Sequence, residues 1–162
     1  MADRPDAVGG GRLGYELVGH TAAPPEVVWP LVAEVEHWKE WSFLTHTFLR
    51  QPGAPDPNGV GAVRRLAVGP FGSTEEVVAF EPPRHLGYVA RRGMPARHYR
   101  ADVVLDPEGS GTRITWSGTM DPLVPGSGPL ALAYARSFVR RFLSGLTRYA
   151  DRRADGSPST PG

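Results

Sequence analysis

The sequence predicts an α+β fold in which a curved, seven-stranded antiparallel sheet wraps around one long C-terminal helix, with two short helices after the first strand. Three observations carry this. The last apolar stretch, Gly128 to Arg153, has the pattern of an amphipathic helix. Seven stretches of strand length precede it, most of them separated by short Gly- and Pro-bearing turns, and short loops make successive strands antiparallel neighbours. One Pro-opened helical segment interrupts them, directly after the first strand. A helix of about 20 residues is about 30 Å long, and an apolar face of that length needs a sheet to cover it. The strands are too few and too strongly patterned for a two-sheet sandwich with a core of its own, so the economical solution is one bent sheet closed by the helix.

Taken in order, residues 1–11 read as a disordered tail, 12–153 as a single domain and 154–162 (ADGSPSTPG) as a second disordered tail. Gly14–Thr21 alternates loosely and forms the first strand. From Ala22 to Trp41 the pattern turns helical: Pro24 and Pro25 open it, Glu26 lies in its first turn, and Val27, Val28, Leu31 and Val32 supply the apolar face. Pro30 conflicts with one continuous helix, because it removes the bond to the Glu26 carbonyl and crowds it. Two short helices with a kink or break are therefore expected. Trp29 and Trp38 read as structural, stapling these helices to the sheet.

Ser42–Gln51 alternates weakly, and GAPDPNG (53–59) is a loop. Gly61–Val68, Ser73–Glu81, His85–Arg91, Arg97–Leu105 and Thr112–Thr119 complete the strands, with turns at GPFG (69–72), EPPR (81–84), RGMP (92–95) and DPEGSG (106–111). Alternation is clearest in the last two. Tyr99, Ala101, Val103 and Leu105 share one face, as do Ile114, Trp116 and Gly118, leaving one face buried and one wet. Val77 and Phe80 have opposite parity although both are apolar, which predicts a bulge and leaves open which parity of 73–81 faces inward.

In the final helix, Leu132, Tyr134, Ala135, Phe138, Val139, Phe142, Leu143 and Leu146 fall within about half the circumference. Tyr134, Phe138 and Phe142 repeat every four residues and form a stripe of rings. Arg136, Arg140, Arg141 and Arg148 take the other half, read as a solvated face. Gly128 and Pro129 mark the start, and Arg152 and Arg153 meet the negative pole of the helix dipole.

Composition excludes several classes. A chain of 162 residues with 40% hydrophobic and 22% charged residues is a soluble globular one. No apolar run approaches the roughly 18 residues of a membrane span, and the N-terminus lacks the apolar core of a signal peptide. Without cysteine there is no disulfide framework, thiolate nucleophile or cysteine metal site; the cytoplasm is the expected compartment. A net charge of +1 provides no global attraction to nucleic acid or an anionic membrane; nucleic acid is not an expected partner, and no integral membrane segment is expected. His20, His37, His46, His85 and His98 show neither i, i+4 spacing nor an HExxH pattern, so no metal site is expected. Ser42, Ser73, Ser117 and Ser144 lack a GxSxG elbow. GVGAVRR (59–65) has neither Walker nor GxGxxG context, so no cofactor and no catalytic residue is assigned.

The segment APPEVVWPLVAEVEHWKEW, followed by Gly59-Val60-Gly61, Phe80-Glu81-Pro82-Pro83-Arg84 with Leu86 and Tyr88, and Gly111-Thr112-Arg113-Ile114-Thr115-Trp116, resembles the START-like or Bet v 1-like helix-grip superfamily. It is most similar to the bacterial polyketide cyclase/dehydrase (SRPBCC) branch, and the likeness spans about residues 13–150. The matching motifs are motifs of the fold, and none carries a catalytic residue over. The resemblance implies a cavity between sheet and helix, with its mouth near the short helices and hairpin tips.

The sequence offers a lining for such a cavity: Tyr88, Tyr99 and Trp116 from the inward strand face, Tyr134, Phe138 and Phe142 from the helix, and Trp41, Phe43, Phe71 and Met94 at the mouth. Aromatic walls with a few hydroxyl groups suit a flat or elongated apolar ligand; the competing reading is that these rings close on each other as solid core. Arg64 and the adjacent strand's Glu75 and Glu76 form either an inward pair that orients a carbonyl or enol or a cross-strand surface pair. The leading expectation is a binder of a hydrophobic small molecule (lipid-, isoprenoid- or polyketide-like), driven by burial at about 25 cal/mol per Å². A cyclase or aromatase using an acid–base pair in the cavity is the alternative. An interaction module with a filled core, acting through the arginine-bearing helix face, for instance as a homodimer or co-regulator, is the third; the chain is expected to be a monomer or homodimer.

Overall fold

The structure is a computed structural model and describes residues 12–156. The chain runs β1 (Leu13–Thr21), α1 (Pro25–Ala33), a 3-10 turn (Val35–His37), α2 (Trp38–Trp41), β2 (His46–Gln51), β3 (Val63–Val68), β4 (Phe71–Glu81), β5 (His85–Arg92), β6 (Ala96–Glu108), β7 (Gly111–Pro122) and α3 (Gly128–Ala154). The expected tail at 1–11 lies outside the described residues, as do residues 157–162 of the second; Ala154 closes α3, and a turn follows at 155–156.

All seven strands join one antiparallel sheet in the order β1-β7-β6-β5-β4-β3-β2. The first strand pairs with the last, and the remaining neighbours follow the chain. The sheet curves around α3, which packs on β1, β7, α1 and α2 but makes no comparable packing with β3, β4 or β5. One side of the sheet therefore holds the helix and the other stands away from it.

The last two strands are longer than the sequence predicts, because β6 runs through Pro107. The Leu105 amide donates to the Arg84 carbonyl, on the side of β6 away from β7. Two residues on, Pro107 faces the same side beyond the end of β5, where no ladder bond is lost. The anticipated bulge in β4 is present, with register shifts against β5 between Thr74 and Glu75 and between Val77 and Ala79. It turns Val77 into the core and leaves Phe80 half-buried against Trp29, ring centroids 5.2 Å apart.

The break in the helical segment is not at Pro30. Helix α1 continues through it to Ala33, and the chain extends at Glu34 (φ −88°, ψ 108°). The lost bond falls on exposed Glu26 in the first turn, where it disturbs little. The end of α1 is then satisfied from outside: the Trp38 indole donates to the Val32 carbonyl and the Trp41 indole to the Leu31 carbonyl, each at 2.9 Å. The other end of this segment is fixed by α3. Asp151 accepts from the Thr21 hydroxyl at 2.6 Å and from the Ala22 amide at 2.8 Å.

Helix α2 sits so close to α3 that a Cβ at Gly145 would lie 2.2 Å from the Trp41 carbonyl oxygen, a backbone atom that cannot give way. Gly145→Ala is expected to cost about 2 kcal/mol or more, as overpacked sites do, read as a lower urea midpoint with an unchanged m-value.

Candidate ligand cavity

The gap between α3 and β3–β5 is a cavity of about 1350 Å³ that opens to solvent. That exceeds the roughly 300–1,000 Å³ of a typical small-molecule pocket. The rings thus do not close on one another as solid core, and the filled interior required by a pure interaction module is not what the chain builds.

The wall includes Phe43, Phe71, Glu75, Tyr88, Met94, Tyr99, Tyr134, Phe138 and Phe142. Trp41, Arg64 and Trp116, expected on the same surface, lie one layer behind it. The Trp41 indole is turned toward the end of α1, and Trp116 is wholly buried beneath Phe142, nearly parallel to it at 6.0 Å. Arg64 is 1% exposed, its guanidinium carbon 4.8 Å from the Trp38 ring centre and 4.6 Å from that of Tyr88. Alternation identified the inward face of β6 and β7 but carries no information on depth. Trp38, read as purely structural, both caps α1 and reaches the wall. Leu66 and Arg141 also line the cavity unanticipated; Arg141 was assigned to the solvated face, yet its guanidinium covers the Phe43 ring at 4.0 Å.

The stripe on α3 grades outward along the helix. Phe142 stacks flat on Phe43 at 5.0 Å, Phe138 is half-buried, and Tyr134 at the mouth is 44% exposed. The residues that seal the helix core are Ala135, Val139, Leu143 and Leu146 on the adjoining face, completed by Tyr149 and Ala150 near its end.

Polar groups gather on the sheet side. Arg64 and Glu75 are direct cross-strand partners, and the Arg64 Nη2 donates to Glu75 Oε2 at 3.1 Å. The inward arrangement is thus the one formed, and Glu76 turns outward to Arg91. Among the described residues, Arg64 Nε and Nη1 have no hydrogen-bond partner. Burial pushes the Glu75 carboxyl above the ordinary carboxylate range, a shift that Arg64 and the Ser73 hydroxyl only partly oppose. The Tyr88 hydroxyl accepts from the Trp116 indole at 3.2 Å, and Tyr99 shares a 2.5 Å hydrogen bond with Tyr15.

Tyr15 was not anticipated. It stands opposite Gly118 on β7, and a Cβ there would lie 2.5 Å from the Tyr15 ring, so the glycine lets the ring cross the strand toward Tyr99. Desolvation raises the Tyr15 phenol to about 12 and drives Tyr88 and Tyr99 well above 10. An acid whose folded pKa is raised holds its proton better in the fold, so this contribution is complete at neutral pH and is lost as pH climbs past the ordinary value near 10. A tyrosinate absorbance titration is expected to show three phenols that ionise only well above the ordinary value in the native protein, and none that do so in denaturant.

Among the described residues, no group of three or more His, Asp or Glu side chains is placed to hold a metal ion. No described helix is long and apolar enough to cross a membrane.

The family model described as "Polyketide cyclase / dehydrase and lipid transport" matches residues 16–151. The chain belongs to this polyketide cyclase/dehydrase and lipid-transport family. No curated protein sequence matches it. Among solved structures it is similar to the protein XoxI from Bacillus cereus, at 20% identity and a TM-score of 0.71, over 84% of this chain and 94% of that one. It is also similar to Ara h 8.0201, at 13% identity and a TM-score of 0.68, over 86% of this chain and 98% of that one. These likenesses establish the START/Bet v 1-like helix-grip fold. Within this family member, the cavity occupies the space between the gripped helix and the sheet.

Proposed function

We propose that this protein binds an elongated or flat apolar small molecule, lipid-, isoprenoid- or polyketide-like, between α3 and the sheet. One observation carries the reading: an open hollow of about 1350 Å³ walled by aromatic and aliphatic side chains, with its buried ionisable groups on the sheet side. Such a wall favours apolar surface at about 25 cal/mol per Å² removed from water. The polar side fixes orientation. The Tyr88 hydroxyl already accepts from Trp116 and retains a proton to donate, and the Glu75 carboxyl, held by Arg64 on the same wall, accepts one. Together they suit a ligand carrying a carbonyl or hydroxyl oxygen.

A second reading, cyclase-type catalysis, is favoured by the presence of Glu75 itself on the cavity wall. Burial raises the affinity of this carboxyl for a proton; as the carboxylate it would take a proton from the carbon beside one carbonyl, and the acid so formed would return it to the oxygen of the second carbonyl that this carbon attacks, which balances aldol closure. Native mass spectrometry of the gently purified protein separates the readings. A retained small molecule released unchanged supports binding; one converted by the wild type but not by Glu75→Gln supports turnover. A protein of bare mass that takes up no apolar compound contradicts both.

A further inference from the structure

The mouth of the cavity is unusual in what it exposes. Val68, Phe71, Leu123, Val124, Leu130 and Tyr134 all line the hollow, and all are between 42% and 80% exposed. Among the described residues only Val18, Phe48 and Val60 are large apolar side chains of comparable exposure elsewhere. Exposed apolar residues scattered singly need no explanation, but six gathered around one opening mark an interaction surface. The two most exposed, Phe71 at 80% and Leu130 at 76%, stand at the β3–β4 turn and in the first turn of α3.

Charge is segregated around the same rim. Segments 65–74, 91–101 and 122–150, which supply the β3–β4 turn, the β5–β6 turn and most of α3, contain no Asp or Glu. They carry nine of the chain's arginines, of which Arg91 and Arg100 are paired with Glu76 and Asp102, although its net charge is only +1. Arg92 and Arg97 flank the cavity-lining Gly93–Pro95, and Arg141 lies on the wall beside Phe43. None of these three is in a salt bridge with a described residue; Glu75, the acid on the wall, is buried against Arg64.

We propose that this rim docks the protein on an anionic lipid bilayer, with Phe71, Leu130 and the Leu123–Val124 loop entering the headgroup boundary. Arg92, Arg97 and Arg141 meet the lipid phosphates, and the cavity mouth faces the membrane. Apolar tips around an opening give a rigid protein partner no continuous face to pack on, whereas fluid acyl chains close around each tip. Basic residues flanking them supply the electrostatic half of interfacial binding. The inference concerns the rim alone and does not depend on what occupies the hollow.

The test is co-sedimentation of the full chain, with no ligand added, on vesicles of phosphatidylcholine alone and of phosphatidylcholine mixed with phosphatidylglycerol. Binding is expected to the anionic vesicles and to weaken with added salt. Phe71→Ser combined with Leu130→Ser is expected to weaken it about tenfold or more without moving the thermal midpoint, since both side chains are already in water. Phe48→Ser, an exposed aromatic away from the rim, should change nothing. Arg92→Gln with Arg97→Gln should remove most of the preference for anionic lipid. Failure of the wild type to sediment, equal binding by the Phe71/Leu130 variant, or capture by an acidic protein in place of either vesicle would overturn the proposal. Ligand retention in solution is read separately and survives any of these outcomes.

Discussion

Ala135→Trp is expected to abolish binding of apolar ligands while leaving the thermal midpoint unchanged or raised. Ala135 is 3% exposed, lies on α3 and forms part of the cavity wall. In a close-packed core such a substitution costs about 1–3 kcal/mol, because nothing can make room. Here the added ring has a hollow of about 1350 Å³ to enter, and it gains contacts with Phe138, which is only half-buried on the wall. The ligand loses the same volume. A titration with the apolar fluorophore anilinonaphthalene sulfonate should show Kd weakened at least a hundredfold, about 3 kcal/mol, beside an undiminished melting temperature. A variant that unfolds, or that binds the probe as well as the wild type, would mean that the hollow is not where ligands go.

Glu75→Leu is expected to destabilise the protein by about 3 kcal/mol, and Arg64→Met in the same chain to restore most of it. Arg64 is 1% exposed and, among the described residues, has Glu75 as its one hydrogen-bonded acceptor. Removing the carboxylate strands a cation between the Trp38 and Tyr88 rings, and uncompensated buried charges cost about 3–5 kcal/mol; the two rings offset part of that. Removing both charges returns the site to apolar packing, often neutral or better. The pair also leaves a pH signature. Because burial raises Glu75 in the fold, the native state binds its proton more tightly than the unfolded chain. Its contribution is therefore greatest below the ordinary carboxylate pKa near 4 and declines as pH rises through the folded value. The difference in unfolding free energy between wild type and the double variant should show that decline; a flat difference would contradict the assignment.

These two residues also mark the limit of what the sequence disclosed. The spacing of Arg64 and Glu75 on successive strands allowed them to meet, but parity around the β4 bulge left two arrangements open, and only the register fixed the inward one. The architecture was legible because it rests on local signals: turn residues between strands, a Pro-opened helix, and the four-residue repeat of Tyr134, Phe138 and Phe142. Depth was not. Trp116 and Tyr88 both belong to the inward face, yet one is covered by Phe142 and the other reaches the cavity. Tyr15 gave no signal because its position depends on Gly118, a contact between strands about a hundred residues apart in sequence. Pro30 misled for a different reason: the carbonyl it leaves unpaired belongs to Glu26, which is exposed and can be hydrated, so the helix continues to Ala33.

The central claim is that α3 is gripped along β1 and β7 yet held off β3–β5, leaving a hollow that admits an apolar molecule. A crystal structure with bound anilinonaphthalene sulfonate tests it most directly. The account predicts the probe between helix and sheet, its rings against Phe142, Phe43 and Tyr88. A probe found only on the outer surface, or α3 collapsed onto β4 and β5 with no space between, would contradict it.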